Sequence, residues 1–177
     1  MEDFELTLFD RLEVIRKVLK DVPDEKVYIS FSGGKDSTVL SAMIGEALPG
    51  NKIARTFCST GIEYEAIVDF VKELQAKDSR FEIIRPNKNI RKMLEEKGYP
   101  FKSKLHSDYV YRYQKSGLRL KSIQKYLDNS KSGKFSCPKI LKHQFSPDFN
   151  LKISQQCCAE LKKKPFHQYQ REIRRSP

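Results

Sequence analysis

Residues 30–37 read Ser-Phe-Ser-Gly-Gly-Lys-Asp-Ser and stand between an apolar run and a helical pattern. The apolar run is Val-Tyr-Ile at residues 27–29, and the helical pattern covers residues 38–48. The sequence therefore predicts a buried strand that turns sharply into a helix. Because glycine adopts backbone angles closed to other residues, Gly33 and Gly34 are expected to let a ligand approach the main chain.

The same turn has the composition of a phosphate site. The first amides of a helix have no internal partner, and the helix dipole favours negative charge there. Lys35 adds a cation, and Ser32 and Ser37 add hydroxyl groups, while Ser30 opens the stretch. Asp36 is expected to cap backbone amides or to help hold a divalent ion such as Mg²⁺. The alternative is a glycine-rich turn without a ligand.

Strand and helix patterns alternate along the first part of the chain. Predicted strands cover residues 26–31, 52–58 and 81–85, and predicted helices cover residues 4–19, 38–48, 64–76 and 89–97. This alternation predicts an α/β fold with a doubly wound, mostly parallel sheet. In such sheets ligands bind beyond the carboxyl ends of the strands, where the stretch 30–37 falls.

A second turn follows the second predicted strand. Residues 59–63 read Ser-Thr-Gly-Ile-Glu, and Gly61 permits a tight turn. Ser59, Thr60 and Glu63 are expected to contact the nucleoside part of a ligand or, as an alternative, only to cap the next helix. Because both turns fall at carboxyl ends of strands, they are expected to line one crevice.

The motif Ser-Gly-Gly-Lys-Asp-Ser at residues 32–37 resembles the pyrophosphate loop of the adenine-nucleotide alpha-hydrolase-like superfamily. It matches neither the Walker A spacing nor Gly-x-Gly-x-x-Gly. The continuation at residues 38–40, Thr-Val-Leu, is similar to the phosphoadenosine phosphosulfate (PAPS) reductase family, as are Thr-Gly-x-Glu at 60–63 and Phe-Val at 70–71. Ser59 stands where that family often has Asp.

The resemblance implies a Rossmann-like fold that binds ATP or PAPS, with Mg²⁺ as a further expected cofactor. The expected function is an enzyme that acts on a sulfonucleotide or cleaves ATP between its α- and β-phosphates, with Lys35, Asp36 and Ser37 at the reacting group. One alternative is an ATP-dependent enzyme that inserts sulfur into, or modifies, a nucleic acid. Another alternative is a nucleotide-binding module without catalysis.

Positive charge is concentrated in the second part of the chain. The net charge is +11, but residues 1–101 carry −2 and residues 102–177 carry +13. Such a segment favours a polyanionic partner, either a phosphate-rich small molecule or a nucleic acid, although a solvated lysine-rich surface is the plain alternative. We expect one domain over residues 1–177, with a core at about 26–100 and a basic, mainly helical segment at about 101–177.

The resemblance further implies a C-terminal tail with a catalytic cysteine, which the sequence up to Pro177 lacks, so the chain is expected to be either a fragment or a shortened member. No apolar run approaches the roughly 20 residues that a membrane span needs, and the first residues are acidic rather than signal-like. A cytoplasmic protein without membrane contact is therefore expected. The oligomeric state is not indicated.

Four cysteines suggest metal or redox chemistry rather than a disulfide framework. Cys58, in an apolar strand, is expected to be core filler. Nearby lysines are expected to lower the thiol pKa of the other three. In related reductases a Cys-Cys pair holds a 4Fe-4S cluster, and the resemblance implies Cys157, Cys158 and Cys137 as ligands here. Zinc completed by His143 and plain free thiols are the alternatives.

Overall fold

The computed structural model of the protein describes residues 3–128 and 136–175. The sequence Asn-Ser-Lys-Ser-Gly-Lys at residues 129–134 predicts a flexible loop, and this loop lies outside the described residues. Two compact units are present: the first contains residues 3–86 and 164–175, and the second contains residues 87–128 and 136–163. The single domain expected from the sequence stays a prediction, because a compact unit need not fold independently.

Regular structure accounts for most of both units. The strands are β1 (Tyr28–Phe31), β2 (Ala54–Cys58) and β3 (Phe81–Ile84). The α-helices are α1 (Asp3–Leu19), α2 (Lys35–Ala47), α3 (Glu65–Lys77), α4 (Ile90–Lys97), α5 (Lys104–Ser116), α6 (Lys121–Leu127) and α7 (Lys164–Arg175). Shorter 3₁₀ turns cover Asp24–Lys26, Gly117–Arg119 and Lys139–Phe145, and Ala159–Lys163 forms a π-helical turn.

The first unit is built on a parallel sheet in the order β1-β2-β3. Phe31 pairs in register with Phe57, and Phe57 pairs with Ile83. These side chains lie on one face of the sheet, because successive residues of a strand point to opposite faces. That face packs against α3, where Val71 is fully buried, and against Ile44 of α2.

Helix α7 covers the opposite face of the same sheet. Tyr28 of β1 stacks on Phe166 with ring centroids 5.8 Å apart. The Tyr169 hydroxyl donates a hydrogen bond to Glu82 Oε2 of β3 at 2.5 Å. Helices therefore lie on both faces of a parallel sheet, and the predicted α/β, doubly wound fold class is confirmed.

A buried polar cluster lies at the amino end of the sheet. Arg55 of β2 is only 1% exposed, and its guanidinium donates to Asn51 Oδ1 at 2.8 Å. The Asn51 side chain also accepts from Arg80 at 3.4 Å and donates to the Leu48 carbonyl at 2.7 Å. Burial, and then repulsion from Arg80, lower the pKa of Arg55, and Asp78 opposes this shift. Asn51 thus joins the end of α2 to two guanidinium groups.

The second unit is mainly helical and has its own core. Seven buried side chains form it: Val110, Ile123, Tyr126, Cys137, Leu141, Phe145 and Ile153. His106 is buried beside them, with Nδ1 2.9 Å from the Tyr126 hydroxyl and Nε2 2.9 Å from Gln144 Oε1. Both ring nitrogens of this histidine are therefore satisfied, which stabilises the packing of α5 against α6 and the 3₁₀ turn.

Several element boundaries differ from the sequence predictions. Helix α2 begins at Lys35 rather than residue 38, because extended Gly34 already serves as its N-cap. Strand β1 begins at Tyr28 rather than residue 26, because the preceding residues form a 3₁₀ turn. Prolines at 138 and 147 predict irregular structure over residues 136–150, but the structure has a 3₁₀ turn there that buries Leu141 and Phe145.

The longest helix, α1, has 17 residues and carries charged groups along its length. Its apolar side follows the predicted spacing, with Leu12 buried against the first unit, although Phe4 is exposed. Among the described residues, every helix is too short or too polar to cross a bilayer.

Candidate nucleotide-binding site

Gly33 turns the chain between β1 and α2. Its φ angle is +73°, a region that side chains rarely tolerate. A Cβ atom at Gly33 would lie 2.7 Å from Ile67 Cγ2 and 3.5 Å from Val71 Cγ2, both on α3. Gly33 is therefore required both by its backbone angle and by the close approach of α3. Gly34, which the sequence also predicted to need a backbone conformation closed to other residues, does not need one. Its φ of −87° and ψ of 167° are open to any residue.

Two serine hydroxyls hold the turn closed. Ser32 Oγ and Ser37 Oγ lie 3.0 Å apart, and the Ser32 amide donates to Ser37 Oγ at 3.2 Å. Ser37 Oγ also donates to the Gly34 carbonyl at 2.9 Å, and Thr38 Oγ1 donates to the same carbonyl at 3.0 Å. The loop between residues 32 and 37 is thus braced by its own hydroxyl groups.

The amino end of α2 is the electropositive part of this loop. The amides of the first helical turn, residues 35–37, precede the first possible intrahelical acceptor and point out of the helix. The Lys35 and Asp36 side chains are exposed, and neither has a hydrogen-bond or ion-pair partner in the described parts of the chain. Backbone amides, a helix dipole and a lysine are therefore available to an anion, with one carboxylate available to a cation.

The second turn, after β2, is held by Glu63. Its Oε1 accepts from the Thr60 hydroxyl at 2.6 Å, and its Oε2 accepts from the Thr60 and Gly61 amides at 2.9 and 3.1 Å. Gly61 has a φ of +87°, as the tight turn requires. Thr60 is 94% buried, being only 6% exposed. Glu63 therefore closes the turn, and contact with a nucleoside stays a prediction.

The Glu63 carboxyl group is held in its charged form. Partial burial acts to raise its pKa, but the Thr60 hydroxyl and the amides of Glu63, Thr60 and Gly61 outweigh it, so the pKa is lowered from 4.5. A carboxylate with a lowered pKa stabilises the fold above its unfolded pKa, and the contribution is lost as the pH falls through the lowered value.

We expect Glu63→Gln to reduce the free energy of unfolding by about 1 kcal/mol at neutral pH, as loss of a capping carboxylate does. The difference in the free energy of unfolding between wild type and Glu63→Gln should shrink below pH 4.5, because wild-type Glu63 becomes protonated there and loses its advantage. Urea unfolding of both proteins at neutral and at acidic pH measures these free energies. Glu65→Gln, at an exposed position of α3, is the matched control and should show a smaller change. A Glu63→Gln difference that stays constant down to acidic pH would contradict this role.

The two turns follow neighbouring strands. Phe31 and Phe57 pair in the parallel ladder, and the Ser59 amide continues the ladder by donating to the Ile84 carbonyl at 2.9 Å. Ser30 lies within β1 in register with Thr56, rather than in the turn itself. The structure thus brings residues 32–37 and 59–63 to the carboxyl edge of one sheet, where α/β folds bind ligands.

The three candidate cluster cysteines do not form a metal site. Cys137 is 1% exposed in the core of the second unit, and its Sγ donates to the Pro138 carbonyl at 3.5 Å. Burial raises the pKa of the Cys137 thiol despite an opposing effect of Lys142, so the expectation that lysines would lower it was wrong. Cys157 is half-buried and Cys158 is exposed.

No group of three His, Cys, Asp or Glu side chains in the described ranges could hold a metal ion. A 4Fe-4S cluster is normally held by four cysteine thiolates gathered in one place. The residues present do not fit one. His143 Nδ1 lies 2.8 Å from the Ile140 carbonyl and is not gathered with the cysteines into a zinc site either. Cys58, buried in β2, lies where a core residue was expected.

Sequence reasoning missed two residues that shape the loop. Ile67 approaches Gly33 from α3, and Thr38 ties its hydroxyl to the Gly34 carbonyl. The apolar face of α3 did mark Ile67 as a packing residue, but nothing in the sequence indicated which turn it would meet. Thr38 opens the helical pattern and the family-like stretch at residues 38–40, but neither signal indicated a hydrogen bond to the Gly34 carbonyl.

Comparison of the sequence with known proteins identifies the family of the chain. The sequence profile of the phosphoadenosine phosphosulfate reductase domain matches residues 26–134, which include both turns. An uncharacterized protein of Methanocaldococcus jannaschii is 30% identical over 122 residues, a match that covers 68% of this chain and 28% of that protein. The match thus spans less than a third of the length of this relative. No solved structure matches. The chain belongs to the phosphoadenosine phosphosulfate reductase domain family.

Proposed function

We propose that the chain binds an adenine nucleotide, with the phosphate groups at residues 32–37 and the nucleoside at residues 59–63. The observation that carries this proposal is the geometry of Gly33, whose positive φ and contact with Ile67 fix the loop at the start of α2. A turn so constrained, at the carboxyl edge of a parallel sheet, directs backbone amides towards a single anion.

Each loop residue has a distinct role in this proposal. The amides of Gly33 and of residues 35–37 would bind the phosphate oxygens, while Ser32, Gly34 and Ser37 would hold the loop in position through the hydrogen bonds that connect them. Lys35, exposed and without a carboxylate partner among the described residues, offsets the phosphate charge. These donors are preorganised, which is the condition under which electrostatic stabilisation of a leaving group is most effective.

The second turn presents the nucleoside side of the proposed site. Ser59 follows β2 directly, and Thr60 and Gly61 form a turn that Glu63 closes. Main-chain groups of this turn, together with the Ser59 hydroxyl and the remaining acceptor capacity of Glu63, would hold the base and ribose. Ser30 would support the phosphate loop from within β1.

The reaction we propose is attack on the α-phosphorus of ATP by an oxygen nucleophile of an acceptor substrate or of water, which joins that oxygen to AMP and releases its proton to solvent. The bond from that phosphorus to the bridging oxygen breaks, and pyrophosphate leaves with the electron pair. Lys35, Ser37 and the first amides of α2 would stabilise the charge that develops on pyrophosphate. A sulfonucleotide such as PAPS is the other substrate that the family membership supports. With two electrons from a dithiol reductant, which is oxidised to a disulfide, PAPS would give sulfite and adenosine bisphosphate rather than pyrophosphate.

A magnesium ion fits the donor set of the loop. Asp36 is an exposed carboxylate in the first turn of α2, and it has no ion-pair partner in the described residues. Magnesium commonly takes one or two protein carboxylates and draws its other ligands from phosphates and water. Asp36 would hold the ion, which supplies charge neutralisation on the phosphates. Binding of nucleotide should therefore be measured with and without Mg²⁺.

We expect ATP, PAPS or adenylyl sulfate to raise the melting temperature, since a ligand at 100 times its dissociation constant stabilises by about 2.7 kcal/mol. The double variant Lys35→Ala, Ser37→Ala should bind the effective nucleotide at least about tenfold more weakly, because loss of one charge-assisted contact costs about 1.5–3 kcal/mol. Loss of the Ser37 hydroxyl also removes a brace of the loop. Lys72→Ala on α3 is the control and should bind as wild type.

Assays for pyrophosphate released from ATP, and for sulfite released from PAPS in the presence of an added dithiol reductant, then separate the two substrates. Release of either by wild type, and its loss in the double variant, supports catalysis. Binding without release of either product favours the non-catalytic module. Unchanged affinity in the double variant would contradict the proposed phosphate loop.

A further inference from the structure

The second unit carries the positive charge of the chain. Residues 87–163 contain 18 lysines and arginines and 6 acidic residues, a net formal charge of +12. Every lysine and arginine of this unit that the structure describes is exposed. Ion pairs engage Lys88, Arg91 and Arg112. The unit therefore presents a dense, largely uncompensated cationic surface, as expected for a polyanion-binding protein.

Two exposed aromatic side chains lie among the lysines of this surface, in one short segment. Between the end of α4 and the start of α5, Tyr99 is 38% exposed and Phe101 is 43% exposed. Lys97, Lys102 and Lys104 flank them. These three lysines are exposed, and none has a carboxylate partner in the described part of the unit. We name residues 97–104 the aromatic–lysine segment.

The backbone of the aromatic–lysine segment is fixed by long-range hydrogen bonds. The Tyr99 amide donates to the Lys152 carbonyl at 2.9 Å, and the Ser154 amide donates to the Tyr99 carbonyl at 3.0 Å. Gly98 permits this pairing, because a Cβ atom there would lie 3.0 Å from the Lys152 carbonyl oxygen. The pairing also brings exposed Lys152 beside the segment, as a fourth cation.

Lys102 is held in a strained conformation within the segment. Its φ angle is +63°, and it is the one residue other than glycine with a positive φ in the described ranges. The neighbouring turn is fixed by fully buried Ser107, whose hydroxyl accepts from the Phe101 amide and donates to the Phe101 carbonyl, both at 2.9 Å. Strain that the surroundings maintain in this way is characteristic of functional positions.

A pocket of about 490 Å³ adjoins the segment at the start of α5. Lys104, Leu105, Asp108 and Gln155 line it. Gln155 Oε1 is a buried acceptor without a donor among the described residues. The pocket volume lies in the range of small-ligand sites, so it is large enough for one nucleobase.

From these observations we propose that the aromatic–lysine segment, with Lys152, is a binding surface for single-stranded regions of RNA. The exposed lysines of the segment would contact phosphates, while Tyr99 and Phe101 offer flat faces on which unpaired bases stack. Duplex nucleic acid is a poorer partner, because its base faces are covered by stacking. RNA is favoured since folded RNA regularly exposes unpaired bases in loops and bulges. The inference goes beyond the proposed nucleotide site and does not rest on it.

The test is fluorescence anisotropy of a labelled single-stranded RNA of about 16 nucleotides, titrated with the full chain over a series of salt concentrations. Wild type should bind with a steep salt dependence. Phe101→Leu keeps an apolar side chain against His106 but removes the flat aromatic face, and it should weaken binding at least about fivefold at constant salt slope. Phe4→Leu on α1, 73% exposed in the first unit, is the matched control and should bind as wild type.

The variant Lys102→Gly tests RNA binding without lowering the stability of the protein. Glycine accepts a φ of +63° without strain, so the melting temperature should not fall, yet one phosphate contact is removed. RNA binding should weaken, and the salt slope should drop by about 0.7, the value for one phosphate of a single strand. Lys72→Gln, on α3 of the first unit, is the charge-matched control and should leave the slope unchanged.

Three results would overturn the proposal. They are wild-type RNA affinity in both Phe101→Leu and Lys102→Gly, equal affinity for duplex DNA of the same length, and equal affinity for vesicles of anionic lipid. ATP binding by the same variants should be unchanged, so failure of the RNA surface and failure of the nucleotide site give different results.

Discussion

Gly33→Ala is expected to destabilise the protein by about 2–4 kcal/mol and to abolish nucleotide binding. A φ of +73° costs an alanine about 1–2 kcal/mol, and the new methyl group would lie 2.7 Å from Ile67 Cγ2. Overpacking of this kind costs about 1–3 kcal/mol. If the loop moves to relieve the contact, the amides of residues 34–37 move with it, and the preorganised anion site is lost.

Gly34→Ala is the matched control for this substitution. Gly34 has an ordinary extended backbone, and a Cβ atom there would meet only the flexible Ser32 hydroxyl, at 3.4 Å. Urea unfolding and nucleotide titration of both variants measure the difference. Adding Ile67→Ala to Gly33→Ala should recover part of the stability, because the two side chains are in contact and their effects are not additive. Equal losses in Gly33→Ala and Gly34→Ala would contradict this account of the loop.

Asn51→Ala is expected to lower the free energy of unfolding by about 2–3 kcal/mol. It removes the oxygen that accepts from the buried Arg55 guanidinium at 2.8 Å, and hydrogen bonds to charged groups contribute about 1.5–3 kcal/mol. It also removes the amide that donates to the Leu48 carbonyl at 2.7 Å, beyond the end of α2. A buried guanidinium that loses an acceptor costs the protein more than a neutral donor would.

Ser41→Ala provides the comparison, because the Ser41 hydroxyl accepts from Arg55 Nε at the longer distance of 3.3 Å. Its effect should be below about 1 kcal/mol, the net value of an average hydrogen bond. Chemical denaturation of both variants and of wild type measures the two losses in free energy of unfolding. An Asn51→Ala variant as stable as Ser41→Ala would show that Arg55 does not depend on Asn51.

The local features of the first unit could be predicted from the sequence. Glycines at 33 and 61 follow apolar strand patterns and precede helical ones, so both turns follow from short-range signals. Parallel pairing then follows from the helical connections, and it brings the two turns to one edge of the sheet. The fold class and the family resemblance were therefore confirmed, whereas nucleotide binding at the two turns stays a prediction.

Features that depend on distant contacts could not be predicted. Arg55 is buried because Asn51 and Ser41 happen to lie beside it, and a charged residue in a strand pattern gives no sign of this. Cys137 stands in a stretch with Pro138 and several lysines, which suggests an open loop, yet a 3₁₀ turn and α6 bury it. The expected effect of the lysines on its pKa failed for the same reason, since burial outweighs a distant charge.

The most direct test of the nucleotide site is a titration of uniformly ¹⁵N-labelled protein with ATP, in the presence of Mg²⁺, followed by two-dimensional amide spectra. We predict saturable shift changes that are largest for the amides of Gly33, Gly34, Ser37 and Gly61, with Gly117 of the second unit unchanged. Saturable binding that leaves the amides of residues 32–37 unperturbed would contradict the assignment of this loop as the phosphate site.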